Sequence, residues 1–286
     1  MSETTPRDVF FWFDCETGGL RPNVDTVLEV AWCFTDEHLR MISPLRQRFT
    51  KLAAKATGRD GRRPADQYNR LLDPTDESSW HDNSFISPVA RQMHEESGLR
   101  SAWFDAYATN PNGILTHSRD FYRLVVEDMH KAGITSQDRI ALAGAGVSHF
   151  DDSVLTEVFD EFYPRRPIID GGVSPVGRWH YRCFDTSVAL WVAGPGARAA
   201  VDAVAARLEK TPDPDRDEAA LPFDLIECEQ QVDNEVMHLV NINSLRQGVP
   251  FNFERSATIQ HRAADDVVWS LLDARALRYW ISRGSL

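Results

Sequence analysis

Two acidic residues, two positions apart, follow a strongly apolar stretch near the start of the chain. Asp14 and Glu16 come directly after the apolar residues Val9 to Phe13, and Thr17-Gly18-Gly19 follows them. Side chains two apart in a strand point to the same side, so these carboxylates are expected to lie together. Like charges that close are unfavourable without a cation, and Mg²⁺ prefers carboxylate oxygens. A solvated strand end is the alternative, so this stretch alone leaves metal binding open.

Further acidic residues stand at two predicted helix starts. Asp151 lies in the sequence HFDDSVL, and Asp266 lies five residues after His261 in HRAADD. Either carboxylate has a simpler interpretation, because the helix dipole favours acidic side chains in a first turn. Five helical positions place side chains about 140° apart, so His261 and Asp266 converge only if His261 lies on the loop before the helix. The D-x-E motif at 14–16, the motif with Asp151 and the motif with His261 and Asp266 occur in this order. That combination is far less expected by chance than any one of the motifs alone.

The surrounding pattern predicts alternating strands and helices. Residues 9–13 are predicted to form a central strand buried on both faces, and residues 27–34 and about 41–49 complete an N-terminal meander. Helices are predicted to begin at Ser87-Pro88, near 115, at Asp151, at Asp185 and near Ala264, with further strands at 139–143, 168–169 and 182–184. Residues 53–83 and 194–235 lack clear periodicity and are interpreted as insertions.

Composition limits the class of protein. The 286 residues suit one large domain or two small ones, and 42% hydrophobic with 26% charged residues is ordinary for a soluble globular protein. No apolar run approaches the ~20 residues of a membrane span, and the N-terminus lacks the apolar region of a signal peptide. The scattered cysteines predict free thiols in a reducing cytoplasm: Cys15, Cys33, Cys183 and Cys228.

The charge is negative overall and unevenly distributed. A net charge of −12 argues against a protein that coats long nucleic acid. Residues 46–70 nevertheless carry eight basic side chains against two acidic ones, whereas residues 209–235 carry ten acidic against two basic. The basic segment, with Phe49 and Tyr68 as stacking groups, either guides a single strand towards the acidic residues or is a solvated loop. Both interpretations stay open.

Taken together, the three motifs resemble those of the DEDD superfamily of 3′–5′ exonucleases, in the subclass with a catalytic histidine. Asp14 and Glu16 match its first motif, Asp151 its second, and His261 with Asp266 its third. Residues 86–94 are similar to proofreading exonucleases, and residues 180–191 look like oligoribonuclease. The resemblance implies an RNase H-like α/β fold, with helices on a mixed five-stranded sheet whose antiparallel hairpin comes first. A single domain, 1–286, would carry insertions at about 50–83 and 194–250.

The resemblance also implies a reaction and its residues. Two Mg²⁺ or Mn²⁺ ions about 3.5–4 Å apart activate water, neutralise the phosphorus oxygens and assist the leaving oxygen. Asp14, Glu16, Asp151 and Asp266 would hold these ions, with Asp14 bridging. Histidine has an unperturbed pKa of about 6.5. Neutral His261 would accept the proton of the attacking water as general base.

Three further residues are expected to contact the substrate by the same resemblance. Leu20 resembles an apolar wedge between the last two bases, with ordinary turn packing as its alternative. Thr17 is expected beside it. His94 either touches the 3′-terminal nucleotide or caps its own helix.

The expected function is a metal-dependent 3′–5′ exonuclease that releases nucleoside monophosphates from single-stranded DNA or RNA. Oligoribonuclease-type trimming of short RNA, a non-catalytic nucleic-acid-binding protein on the same fold, and a metal-dependent phosphatase are the alternatives. The choice between DNA and RNA depends on contacts to the 2′-hydroxyl, which the sequence does not locate. The expected partner is single-stranded nucleic acid or short oligonucleotides. No membrane association is expected, the expected location is the cytoplasm, and a homodimer is left open.

Overall fold

A computed structural model of the 286-residue chain describes residues 6–21, 25–53, 73, 75–82, 86–135, 137–147, 150–158, 183–193 and 262–282. His261, the predicted strand at 168–169, the insertion at 194–250 with its acidic segment, and most of the insertion at 50–83 lie outside these residues. The division into one domain with two insertions therefore stays a prediction.

The described strands form one mixed five-stranded sheet in the order β3-β2-β1-β4-β5. The strands are β1 (Asp8–Thr17), β2 (Thr26–Asp36), β3 (Arg46–Ala53), β4 (Arg139–Gly144) and β5 (Phe184–Asp185). β2 runs antiparallel to both β1 and β3, whereas β4 is parallel to β1 and to β5. An antiparallel hairpin followed by parallel strands is the predicted arrangement, so the RNase H-like α/β class is confirmed.

Helices flank this sheet. They are α1 (Ser78–Asp82), α2 (Pro88–Glu96), α3 (Leu99–Thr109), α4 (Ser118–Lys131), α5 (Asp151–Val158), α6 (residues 186–193) and α7 (Ala263–Ser282). The predicted helices at Ser87-Pro88, near 115, at Asp151, at Asp185 and near Ala264 are confirmed. α1 and α3 were not predicted. No helix among the described ranges is long and apolar enough to cross a membrane.

The third strand lies later in the chain than predicted. Met41 makes only an isolated bridge with Thr35, and β3 begins at Arg46. The reason is a turn in which the hydroxyl of Ser43 accepts a hydrogen bond from the backbone N–H of Phe34, at 2.7 Å, in place of a strand partner. Residues 50–53 belong to β3 and not to the insertion. The hydroxyl of the buried Thr50 donates to the carbonyl of Val27 on β2.

β1 is the central strand and is buried on both faces, as predicted. On one face Val9, Phe11 and Phe13 pack against apolar residues of α4 and α5. On the other face Trp12 packs against α7. Each of these buried side chains contributes roughly 1.5–3 kcal/mol to folding, so the end of β1 is held firmly between two cores.

Gly144, at the end of β4, allows a close approach to β1. A Cβ atom at this position would lie 2.9 Å from the backbone oxygen of Phe13 and 3.3 Å from the Cβ of Val147. Only a residue without a side chain fits there without a shift of the backbone. The glycine thus brings β4 against β1 one residue before Asp14.

Free thiols are confirmed for Cys15, Cys33 and Cys183. Cys228 lies outside the described residues.

Candidate metal centre

The carboxylates predicted to lie together do so at the end of β1. Asp14 and Glu16 point to the face of the sheet that α7 covers, and Asp266 stands in the first turn of α7. One oxygen from each of these three side chains lies within 4.8 Å of the others. The alternation of β1 and the start of α7 therefore bring together residues that are 250 positions apart in the chain.

Asp151 approaches the same strand from the other side. It is the first residue of α5 and is only 4% exposed. Its Oδ1 accepts a hydrogen bond from the thiol of Cys15, at 3.1 Å. Asp151 is not a member of the close group of three oxygens, but its carboxylate is near enough to raise the pKa of Asp14.

Burial and mutual repulsion make this cluster unfavourable when it is fully ionised. Burial raises the pKa of Asp14 well above its usual range, and Asp151 and Asp266 raise it further. Burial likewise raises the pKa of Glu16, with Asp266 adding to the effect and Arg262 opposing it. Burial raises the pKa of Asp151 to about 7, although the hydrogen bond from Cys15 opposes the shift. A bound cation would offset this repulsion.

The donor atoms fit a hard divalent cation. All three members of the group offer carboxylate oxygens, which Mg²⁺ and Mn²⁺ prefer over softer ligands. Among the described residues, the Cys15 thiol lies beside these carboxylates. It is not a competing ligand, because burial raises its pKa well above its usual range and favours the protonated form. The residues present therefore suit Mg²⁺ or Mn²⁺, and their roles as ligands stay predictions.

A fifth carboxylate, buried beside these four, was missed in the sequence. Glu29 on β2 is the cross-strand partner of Glu16 and is fully buried. Its Oε1 accepts a hydrogen bond from Arg262 Nη2 at 2.8 Å, and its Oε2 accepts one from the backbone N–H of Ala263 at 3.0 Å. The only sequence signal for it was a glutamate inside the apolar stretch 27–34.

Leu20 is carried by a turn that is fixed by several hydrogen bonds. The Thr17 hydroxyl donates to the carbonyl of Gly19 at 2.7 Å, and the Ser87 N–H donates to the carbonyl of Gly18 at 2.6 Å. The Leu20 side chain is 86% exposed, so ordinary turn packing does not explain it. Contacts of Leu20 and Thr17 with substrate stay predictions.

His94 lies beneath this turn and is fully buried. Its Nε2 is 2.7 Å from the carbonyl oxygen of Thr17, and its Nδ1 is 3.8 Å from Oε2 of Glu16. These contacts support the end of β1 from α2. A contact between His94 and the terminal nucleotide stays a prediction.

The position of His261 is not among the described residues. α7 begins at Ala263, two positions after His261 in the sequence. The role of His261 as general base stays a prediction.

No family model matches the chain, and no curated protein matches it. Solved structures similar to it include E. coli exonuclease I bound to zinc and single-stranded DNA, at 14% identity and a TM-score of 0.41, covering 99% of this chain and 42% of that one.

Two more structures give similar values. Exonuclease I of E. coli with a dT13 oligonucleotide has 16% identity and a TM-score of 0.41, covering 97% of this chain and 43% of that one. The moderately thermophilic exonuclease I of Methylocaldum szegediense has 17% identity and a TM-score of 0.39, covering 96% and 43%. This chain therefore spans less than half the length of each of these three structures.

Proposed function

We propose that the chain is a metal-dependent 3′–5′ exonuclease that releases nucleoside monophosphates from the 3′ end of single-stranded nucleic acid. The observation that carries this proposal is the group of oxygens from Asp14, Glu16 and Asp266, all within 4.8 Å of one another. Asp151 stands beside that group. These four acids occur in the order of the DEDD motifs that the sequence resembles.

The carboxylates are assigned to ion binding and the histidine to proton transfer. Asp14, Glu16, Asp151 and Asp266 would hold two Mg²⁺ or Mn²⁺ ions, with Asp14 between them. When bound, such ions supply a nucleophile at neutral pH and neutralise charge on the phosphoryl oxygens. His261 would accept the proton of the attacking water.

The turn after β1 is suited to hold the 3′ end. Leu20 presents an exposed apolar side chain four residues after Glu16. Its backbone is fixed, since Arg21 donates to the buried carboxylate of Asp25 through both its backbone N–H, at 2.9 Å, and its side chain, at 2.5 Å. An exposed apolar group on a hydrogen-bonded turn can wedge between the last two bases and align the terminal phosphodiester. Such alignment is a large part of catalysis.

The direct test is digestion of 5′-labelled oligonucleotides. DNA and RNA of the same sequence and graded lengths, incubated with Mn²⁺, should shorten one nucleotide at a time and release nucleoside monophosphates, and EDTA should stop the reaction. Asp266→Asn should lower the rate by roughly a thousandfold, because a lost ligand costs about 4 kcal/mol of transition-state stabilisation. Asp265→Asn is the matched control. Asp265 lies in the same first turn but is not a member of the group, so its rate should be retained.

Other outcomes would favour other functions. Phosphate release from mononucleotides without shortening of the oligomers would indicate a phosphatase. Binding without any cleavage would indicate a non-catalytic protein. Activity confined to RNA of a few nucleotides would indicate trimming of the oligoribonuclease type.

A further inference from the structure

A buried ion pair joins β2 to the start of α7. Glu29 is fully buried, and the Arg262 side chain is only 11% exposed. The Arg262 guanidinium donates through both Nε and Nη2 to the Glu29 carboxylate, with the shorter contact at 2.8 Å. The same guanidinium lies 5.7 Å from the centre of the Phe49 ring. Arg262 is therefore held by β2 on one side and by β3 on the other.

The start of α7 depends on this pair. The N–H of Ala263 donates to Glu29 Oε2 at 3.0 Å, so the carboxylate caps the helix as well as binding Arg262. The carbonyl of Arg262 then accepts the backbone N–H of Asp266 at 3.1 Å. Asp266 is thus one helical turn from the anchored residue and is joined to it by a hydrogen bond.

We propose that the Glu29–Arg262 pair is a positioning device for the metal centre. It fixes where α7 begins on the sheet and thereby sets the position of Asp266 relative to Asp14 and Glu16. Glu29 acts through these residues and does not bind the ion, because Arg262, Ala263 and Gln47 occupy its two oxygens. The inference rests on the proposed function, since it concerns the same metal centre.

The first test separates positioning from general stabilisation of the fold. Glu29→Gln keeps the size of the side chain and removes the ionic anchor. Its matched control is Asp128→Asn, because Asp128 on α4 is also a fully buried carboxylate that binds an arginine, Arg46, at 2.7 Å. The Asp128 carboxylate accepts a hydrogen bond from Trp32 Nε1 at 3.1 Å, and Trp32 belongs to the core on the α4 and α5 side of the sheet, not the α7 side. Both variants should melt at lower temperature than the wild type in EDTA.

Only the Glu29 variant should lose metal affinity. Substitutions behind metal ligands typically weaken metal binding about 10- to 100-fold. For Glu29→Gln we therefore expect a Kd for Mn²⁺ raised by that factor in calorimetry, and a smaller rise in melting temperature on addition of Mn²⁺. Asp128→Asn should keep the wild-type values of both. Equal Mn²⁺ affinity in the two variants would overturn the proposal.

The second test separates positioning from simple electrostatic attraction. Arg262→Met removes a positive charge near the site, so electrostatics alone predicts tighter Mn²⁺ binding, whereas loss of positioning predicts weaker binding. The double variant Glu29→Gln with Arg262→Met leaves no buried unpaired charge and is the variant expected to fold if the single one does not. Weaker binding in either would support positioning, and tighter or unchanged binding would contradict it.

Failure of this inference is distinguishable from failure of the proposed function. A wild-type chain that binds Mn²⁺ and degrades oligonucleotides, beside a Glu29→Gln variant of equal Mn²⁺ affinity, would refute positioning alone. A wild-type chain that binds no Mn²⁺ would refute both.

Discussion

Cys15 lies between two predicted metal ligands in the sequence and donates a hydrogen bond to a third, Asp151. Strand alternation turns its side chain to the face opposite Asp14 and Glu16, where the thiol donates to Asp151 Oδ1 at 3.1 Å. Burial raises the pKa of Asp151 to about 7, and this hydrogen bond opposes the rise. The residue inside the D-x-E motif therefore favours the ionised form of a carboxylate on another element.

Replacing Cys15 with Ala should weaken Mn²⁺ binding near pH 7. A hydrogen bond to a charged group contributes about 1.5–3 kcal/mol, so we expect Mn²⁺ affinity at pH 7 to fall by about tenfold and to recover at higher pH. Cys15→Ser keeps a donor and should change little. Cys33→Ala, at another buried free thiol, is the control. Calorimetry at several pH values measures the effect, and identical pH profiles for Cys15→Ala and Cys33→Ala would refute it.

His261→Asn should affect turnover more than metal binding. Loss of a general base costs about 10²–10⁴-fold in rate, while the carboxylates still bind the ions. The residual rate should rise with pH because hydroxide replaces the base. Single-turnover rates between pH 6 and 9, with Mn²⁺ affinity measured in parallel, check this. A wild-type rate and pH profile would mean that another group is the base.

At the scale of elements, strong local signals explain what could be predicted. α2 was located because Ser87 and Pro88 specify a helix start, and the Ser87 hydroxyl does accept the N–H of Ala90 at 3.1 Å. β1 was located by its apolar run. By contrast, α3 begins at Leu99, and its N-cap residue Gly98 has a φ of 73° and makes no side-chain cap, so the usual start signal is absent and the helix was missed.

Long-range contacts account for the remaining differences. The third strand was predicted, but its bounds were wrong. The charged residues of β3 give no local signal of where the strand lies, because their partners are remote, as in the ion pair of Arg46 with Asp128. The motifs predicted that Asp14, Glu16 and Asp266 lie together, and they do. Glu29 could not be predicted, because its partner Arg262 is 233 positions away, and no local pattern relates the two.

At the scale of the whole molecule, charge is the main obstacle to binding a polyanion. The net charge is −12, and the candidate metal centre is itself acidic. Arg46 and Arg48 of the basic segment belong to β3, and Arg46 forms an ion pair with Asp128. The Arg262 guanidinium lies over the Phe49 ring, 5.7 Å from its centre, and already occupies one face of it. Guidance of a strand by segment 46–70 would therefore depend on its later residues, which lie outside the described ranges.

Changing Arg59, Arg62 and Arg63 to Ala should raise KM for long oligonucleotides and reduce the salt dependence of binding. Dinucleotides, which are too short to reach the segment, should be cleaved as before. Arg46→Met is the contrasting variant: it should lower thermal stability and leave the salt dependence unchanged. Steady-state kinetics at several salt concentrations test both. An equal loss on short and long substrates would refute guidance.

The metal-free protein should lose stability as pH rises. Burial raises the pKa of Asp151 to about 7 in the folded state, above the value of about 3.9 in unfolded chains. The folded state therefore binds the proton more tightly, and this stabilisation is complete below about pH 4 and is lost as pH rises to about 7. Urea unfolding in EDTA should show the chain less stable at pH 7 than at pH 5 by roughly 2–4 kcal/mol.

Asp151→Asn should reduce that dependence without removing it, because burial also raises the pKa values of Asp14 and Glu16. Mn²⁺ should reverse the dependence for the wild type, because metal binding favours the ionised carboxylates. Equal stability at pH 5 and pH 7 in EDTA would contradict the expectation.

The contact between Gly144 and β1 has a consequence for how the sequence can vary. The backbone oxygen of Phe13 lies 2.9 Å from where any Cβ of residue 144 would stand, so even a methyl group must push β1 sideways at the residue before Asp14. In a saturation library selected for nuclease activity, position 144 should be depleted of every alternative residue as strongly as position 14. The position would score as an active-site residue although it has no side chain with which to act.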